Sequence, residues 1–464
     1  MWNFDEKLKN EPLYVRIYLQ LKQMIMEGKY TEHQKMPSKR KLAQTLKVSP
    51  LTVDQAYQQL IAEGYVYSIE KSGFYVNKQI EILSPLSPQI SHESEEIKHQ
   101  RKYLYSFETN DIDTSLFPNT TWAKLSRKVL SENYEQMLNE TDPQGLFLLR
   151  KEIARYLEIY RGMKVDIHQI VIGSGSTSLI GLIVEILKRN NHYAIENPGY
   201  KKIYQLFKAN DVHLSLISLD EQGLNMDSLR ESKASIVHIT PSHQFPMGIV
   251  MPIQRRIELL NWASENPDRF IIEDDYDSEF RYQGMPIPAL QGLDQYDAII
   301  YMNTFTKTLA PSFRISYMVL PKRLMKRYQE ISLYHGCTVP NFEQYILYEF
   351  MSEGYFERHV NRMRNLYKQK VEIIMKMIQK YPYIKLKGYG AGLHAILQID
   401  KPIQIHALQH LLEDKKIKIS SLNDYYHAKQ DTSYPIFVLG YAGIPIFDLE
   451  HHIEQLLDVI DAST

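Results

Sequence analysis

The segment Asn303-Thr-Phe-Thr-Lys-Thr-Leu-Ala-Pro-Ser-Phe-Arg314 sets a lysine between two threonines, with an arginine seven positions on. A lysine attacks a carbonyl only as the free amine, so it needs a partly desolvated place that lowers its pKa. The run Ala298-Ile-Ile-Tyr-Met302 reads as a buried strand, which puts Lys307 on the loop at a strand's end rather than on a solvated helix face. The Thr304 and Thr306 hydroxyls and the Arg314 guanidinium supply donors and charge to hold a phosphate nearby. Taken alone, the same residues suit a surface lysine and a structural ion pair equally well.

Three further strand ends add to it. Ile170-Val-Ile172 runs into Gly173-Ser-Gly-Ser-Thr-Ser178 and an apolar helix, a turn whose free backbone N–H groups suit an anion. It lacks the lysine of a P-loop and the spacing of a dinucleotide fingerprint. Ile236-Val-His-Ile239 leads into Pro241-Ser-His-Gln-Phe-Pro-Met-Gly248, and Phe270-Ile-Ile leads into Glu273-Asp-Asp-Tyr276. Glu196-Asn-Pro-Gly-Tyr200 is a turn ending on an aromatic. In open α/β sheets, ligands bind beyond the carboxyl ends of strands, so these segments are expected to converge.

The elements that must position them follow from the alternation of helical and strand patterns after Tyr103, which predicts an α/β fold with a mainly parallel sheet. Helices are expected after the Asp142-Pro-Gln-Gly145 turn, at Phe342–Glu353, and from Arg358 toward Tyr381. The chain has 464 residues, 44% hydrophobic and 23% charged, with a formal net charge of −1, so it is a globular multidomain protein with no overall charge argument for nucleic acid. Its one cysteine, Cys337, forms no intrachain disulfide and fits a reducing cytoplasm. No apolar run reaches spanning length, the start does not read as a signal peptide, and no Cys or His spacing suggests a metal site. Cytoplasmic localisation, away from membranes, is the expectation.

The charge is uneven: residues 1–80 hold 12 Lys and Arg against 8 Asp and Glu, a net of +4. Here a helix through Leu13, Ile17, Leu21 and Ile25 precedes two more, capped by Ser38 and Ser49, and then two short strands. That order is a winged helix, with Thr52–Glu63 placed to enter a major groove of double-stranded DNA. The stretch resembles the GntR-type DNA-binding domains through Met36-Pro-Ser, Arg40, Leu42-Ala43, Leu46, Val48-Ser49, Thr52-Val53, Ala56-Tyr57, Leu60 and Glu63-Gly64. It departs at Pro50, where the family usually has arginine. Ser38, Lys39, Arg40, Lys41, Lys47, Ser49, Thr52 and Tyr57 are the candidate DNA-contacting residues. Residues 1–77 are therefore expected to form the reading head and residues 78–102, rich in proline, serine and charge, a tether.

Residues 103–464 resemble a fold-type I, pyridoxal-phosphate-dependent aminotransferase, with a large sheet domain and a smaller C-terminal subdomain. The resemblance rests on the segments at 142–145, 196–200, 241–248 and 273–282 and on Thr306-Lys-Thr-Leu-Ala-Pro. Fused behind a GntR-type head, the chain resembles the MocR-type transcriptional regulators. That resemblance implies that Lys307 forms the Schiff base with the cofactor and that Asp274 pairs with the pyridine nitrogen. It implies that Tyr276 donates to the ring's phenolate oxygen and that Tyr200 stacks on the ring. Ser176, Thr177, Thr304, Thr306 and Arg314 would hold the phosphate. It also implies a head-to-tail homodimer on direct DNA repeats, answering a small-molecule effector.

Two departures bear on that effector. The asparagine that contacts the phenolate oxygen falls at Phe245 or Gln244. The stretch Pro435-Ile-Phe-Val-Leu-Gly-Tyr-Ala lacks the arginine with which aminotransferases anchor a substrate carboxylate, and Lys202 stands where GABA-sensing members have another. Little physiological turnover is expected, and the sensed ligand is an amine or pyridoxal phosphate itself, in which case vitamin B6 synthesis is the regulated target. The alternative is an active aminotransferase with an accessory DNA-binding head.

Overall fold

The computed structural model describes residues 11–78 and 103–463, apart from 133, 283, 285–286 and 428–433. The expected tether lies, from residue 79 on, outside the described residues. The chain divides into two compact units, with the division at Lys98 and His99.

The first unit contains helices Leu13–Met26, Lys39–Leu46 and Pro50–Ala62, followed by the antiparallel strands Val66–Ile69 and Gly73–Val76. Ser38 Oγ accepts from Lys41 N at 3.2 Å and Ser49 Oγ from Thr52 N at 3.1 Å, so both serines satisfy otherwise orphaned helix donors. Pro50 takes the first helical position, where its missing N–H costs nothing. Val53, Ala56, Tyr57 and Leu60 make the third helix's buried stripe against Ile17, Leu21 and Ile25.

The second unit is built on an eight-stranded sheet in the order Ile170–Gly173, Ser316–Val319, Ile299–Thr304, Phe270–Asp274, Ile236–Ile239, His192–Asn197, His213–Asp220, Gly223–Leu224. From Ile299–Thr304 to His213–Asp220 the neighbours run parallel, and the remaining pairings are antiparallel. The central strands are buried along their length, as runs such as Phe-Ile-Ile and Ile-Ile-Tyr-Met require when helices cover both faces. A second, antiparallel sheet joins Ile384–Lys387, His394–Ile399, Ile436–Gly440 and Ser420–Ser421.

The helix Tyr355–Ile378 ties the two sheets together: Phe356 and Val360 enter the core with Ile172 and Tyr317, while Met363, Tyr367 and Ile374 enter the core of the antiparallel sheet. It is the helix expected after Arg358, begun three residues earlier. The helix expected at 342–353 is Asn341–Ser352. No described helix is long and apolar enough to cross a membrane.

Candidate functional site

The parallel strands end on one cavity. Met302 pairs with Asp274 across neighbouring strands, which brings the loop carrying Lys307 beside the carboxylate that closes Phe270–Asp274. Lys307, Asp274, Tyr276, Tyr200, Ser176 and Arg314 all line the cavity, as do Thr304 and Thr306. Lys307 Nζ donates to Thr109 O at 3.0 Å and to Asn110 Oδ1 at 3.3 Å. Burial pushes the amine down to about 8, against the opposing pull of Asp277 and Asp111. A residue that reads as a nucleophile in the sequence thus has the environment that chemistry needs.

One end of the cavity is an anion cradle. Gly175, at φ +88°, precedes the helix Ser176–Leu187, whose first N–H groups have no intrahelical partner. A Cβ at Gly175 would lie 2.8 Å from the Arg314 guanidinium, so the absent side chain leaves room for that arginine. Arg314 Nη2 donates to Ser174 O at 3.2 Å, and the Thr304 and Thr306 hydroxyls lie 2.7 Å apart. Thr177 lines a neighbouring depression with Ser178 and Thr338. As the second residue of that helix, Thr177 offers its backbone N–H beside that of Ser176.

At the other side of Lys307 the Tyr276 hydroxyl donates to His243 O at 3.0 Å, so its proton is committed to the chain itself in this structure. Tyr200 meets Phe245 edge-on, with ring centroids 5.2 Å apart. Phe245 lines the cavity, whereas Gln244 is buried and its Nε2 donates to Phe245 O at 2.6 Å and Pro198 O at 3.1 Å. Of the two positions the sequence left open for the missing asparagine, Phe245 is the one facing the cavity.

Several polar residues here escaped the sequence reading. His238 Nε2 lies 3.4 Å from Asp274 Oδ2, and Glu196, one strand further along the sheet, accepts from Thr240 N at 3.1 Å and Thr240 Oγ1 at 2.7 Å. Burial raises the Glu196 carboxyl to about 7 in spite of those bonds. His243 Nδ1 contacts Asp277 Oδ2 at 2.9 Å and its Nε2 contacts Gly388 O at 3.1 Å. Burial disfavours charge on this ring, but Asp277 outweighs that and holds it above its ordinary value. Behind the sheet ends, Arg161 pairs with Asp275 at 2.8 Å, and Asp275 accepts from Tyr301 Oη at 2.6 Å, all of them buried.

In the first unit, Arg40, Lys41 and Lys47 are exposed on the second helix and the turn after it. Lys39 is instead paired with Asp54 and lies over the Phe74 ring, 5.2 Å from its centroid. Ser49 Oγ and Thr52 Oγ1 lie 2.7 Å apart within the cap of the third helix. Tyr57 is a correction: it is fully buried, stacks on Phe74 at 4.6 Å and donates its hydroxyl to Pro37 O at 2.7 Å. It supports the head from within and does not reach a duplex.

These geometries define a winged-helix unit joined to an aminotransferase-type unit. Residues 13–76 match bacterial regulatory proteins of the gntR family, and residues 105–431 match aminotransferase class I and II. The chain belongs to the MocR-type HTH transcriptional regulators, which join these two parts. It is 36% identical over 453 residues to the uncharacterized HTH-type transcriptional regulator YdeL of Bacillus subtilis, covering 96% of each chain. It is 28% identical to the HTH-type pyridoxine biosynthesis transcriptional regulator PdxR of Corynebacterium glutamicum, covering 88% of this chain and 87% of that one. An archaeal alanine:glyoxylate aminotransferase superposes with a TM-score of 0.70 at 24% identity, over 78% of this chain and 91% of that one, which shows the fold. The head is therefore a DNA-binding domain, and the second unit is of the kind that typically binds pyridoxal phosphate.

Proposed function

We propose that this regulator binds pyridoxal phosphate at Lys307 and that the state of that site sets its affinity for operator DNA. The observation that carries the reading is the convergence of a desolvated lysine, a carboxylate and an anion cradle on one cavity. The residues fit the group. The Gly175 opening, the helix N-terminus at Ser176 and Arg314 would take the phosphate, Asp274 would hold a proton on the pyridine nitrogen, and Tyr200 and Phe245 would flank the ring. Bound there, pyridoxal phosphate supplies an electrophilic carbonyl and an electron-withdrawing ring.

The chain's own residues do the rest. Thr109 O and Asn110 Oδ1 orient the Lys307 amine, and burial keeps part of it unprotonated near neutral pH. His238 Nε2 lies 3.4 Å from the Asp274 carboxylate. The sensed ligand is a small amine or pyridoxal phosphate itself. The likeness to PdxR supports control of vitamin B6 synthesis as the target in the second case. A head-to-tail homodimer would present two heads to repeated DNA sites.

The test is the visible absorption spectrum of purified protein with added pyridoxal phosphate, before and after borohydride. A bound chromophore that reduction fixes to Lys307, and that Lys307→Ala does not retain, is the expected result. A wild type that takes up no cofactor would overturn the reading and leave the second unit as a scaffold.

A further inference from the structure

The third helix of the head, Pro50–Ala62, contains no lysine or arginine. Its buried stripe is Val53, Ala56, Tyr57 and Leu60. At about 100° per residue, Leu51, Gln55, Gln58 and Ala62 fall on the face opposite that stripe, and all of them are exposed. Leu51 stands out there, a large aliphatic side chain left 68% exposed in the helix's first turn. The core of the head closes without it.

Most polar groups around this face are already committed. Thr52 Oγ1 lies 2.7 Å from Ser49 Oγ within the cap, and Gln59 Nε2 donates to Glu63 Oε1 at 2.8 Å. Asp54 is paired with Lys39 and also takes a hydrogen bond from Gln58. Gln55 differs: its amide is exposed and has no hydrogen-bond partner among the described residues.

A helix that enters the major groove touches base edges with its first turns. This unit matches the gntR family over residues 13–76, and the exposed cations Arg40, Lys41 and Lys47 all precede the helix. Cations of that kind hold phosphates and set register, but they carry no sequence information. What the helix itself offers to the bases is one aliphatic surface and one uncommitted amide. The commonest specific contact, a basic side chain on guanine O6 and N7, has no donor on this helix. The carboxylate that could accept from cytosine N4 is held by Lys39. An aliphatic side chain gains most from the thymine C5-methyl, because burying one against the other takes two apolar surfaces out of water. A glutamine fork matches the donor and acceptor pair of adenine N6 and N7. Leu51 and Gln55 are one helical turn apart, about 6 Å along the axis, so their bases fall within about two base pairs of each other.

We propose that Leu51 and Gln55 are the base-reading residues of this head: Leu51 packs on a thymine methyl, and Gln55 makes a paired hydrogen bond to a neighbouring adenine. The operator therefore carries these two bases together wherever a head binds. The inference stands independently of the cofactor at Lys307.

The test uses the full chain, with and without added pyridoxal phosphate, to select bound duplexes from a random-sequence pool. The enriched duplex is then resynthesised with deoxyuridine in place of one thymine at a time, which keeps the pairing and removes only the methyl. A second series replaces one adenine at a time with 7-deazaadenine, which removes only the N7 acceptor. At one thymine, deoxyuridine should weaken wild-type binding about fourfold and leave Leu51→Ala binding unchanged. At one adenine close by, 7-deazaadenine should cost the wild type about fivefold or more and leave Gln55→Ala unchanged. Leu51→Met, which keeps an apolar surface, should retain the response to the methyl. Both side chains are exposed, so all three variants should keep the wild-type unfolding midpoint and the wild-type affinity for a random-sequence duplex. The proposal is overturned by a lack of enrichment in both states, by an enriched duplex in which no thymine methyl matters, or by a loss that persists undiminished in the matching alanine variant.

Discussion

Lys307 Nζ donates to Thr109 O at 3.0 Å, in a cavity whose burial brings the amine to about 8. At pH 7 about a tenth of such an amine is neutral, against one part in a few thousand for an ordinary lysine. Adduct formation with pyridoxal phosphate should therefore rise about tenfold per pH unit up to about 8 and level off above it. The sign follows from a depressed lysine: raising pH deprotonates it earlier than its neighbours. Rapid-mixing absorbance across pH 6 to 10 checks this, and a rate still climbing at pH 10 would show an undepressed lysine.

Gly175 and Arg314 make the next prediction. A Cβ at Gly175 meets the guanidinium at 2.8 Å and forces a side chain into φ +88°. Gly175→Ala should cost about 1–2 kcal/mol of stability and displace Arg314. Affinity for pyridoxal phosphate should fall about tenfold or more, while pyridoxal, which lacks the phosphate, should be little affected. Equilibrium dialysis of the two vitamers against both proteins separates a lost anion site from general damage.

Much of this was legible in the sequence because the central strands are continuous apolar runs with their chemistry at the end. What was lost is non-local. His238 and Asp274 meet only because their strands are neighbours in the sheet order, and His394, which also lines the cavity, comes from a different sheet. Tyr57 fails for a simpler reason, side-chain direction. Tyr57 falls on the stripe with Val53, Ala56 and Leu60, so helical spacing alone could have placed it inside.

The Arg161–Asp275 pair beneath the site is buried on both sides, with Tyr301 Oη donating to Asp275 and Arg161 Nη2 donating to Ser242 Oγ. Removing one partner strands the other's charge. Arg161→Met should destabilise the second unit by about 3–5 kcal/mol, and adding Asp275→Asn should recover part of that loss. Urea unfolding of the single and double variants measures the coupling. Additive effects would mean the two charges act independently.

In the head, Arg40, Lys41 and Lys47 are exposed, whereas Lys39 is held by Asp54 and Tyr57 is fully buried. A phosphate contact contributes by releasing counterions, so each exposed cation that touches the backbone adds about one unit to the salt slope. Arg40→Ala, Lys41→Ala and Lys47→Ala should each weaken binding to a random-sequence duplex and lower that slope by about 1. Lys39→Ala should do less, because its charge is already partnered. Tyr57→Phe should leave the slope unchanged and cost only about 1 kcal/mol through the lost bond to Pro37 O. Fluorescence anisotropy over a range of salt concentrations reads all five variants on one scale. A reduced slope in Tyr57→Phe would return that residue to the duplex, and an unchanged slope in all three exposed variants would move the DNA-binding face elsewhere on the head.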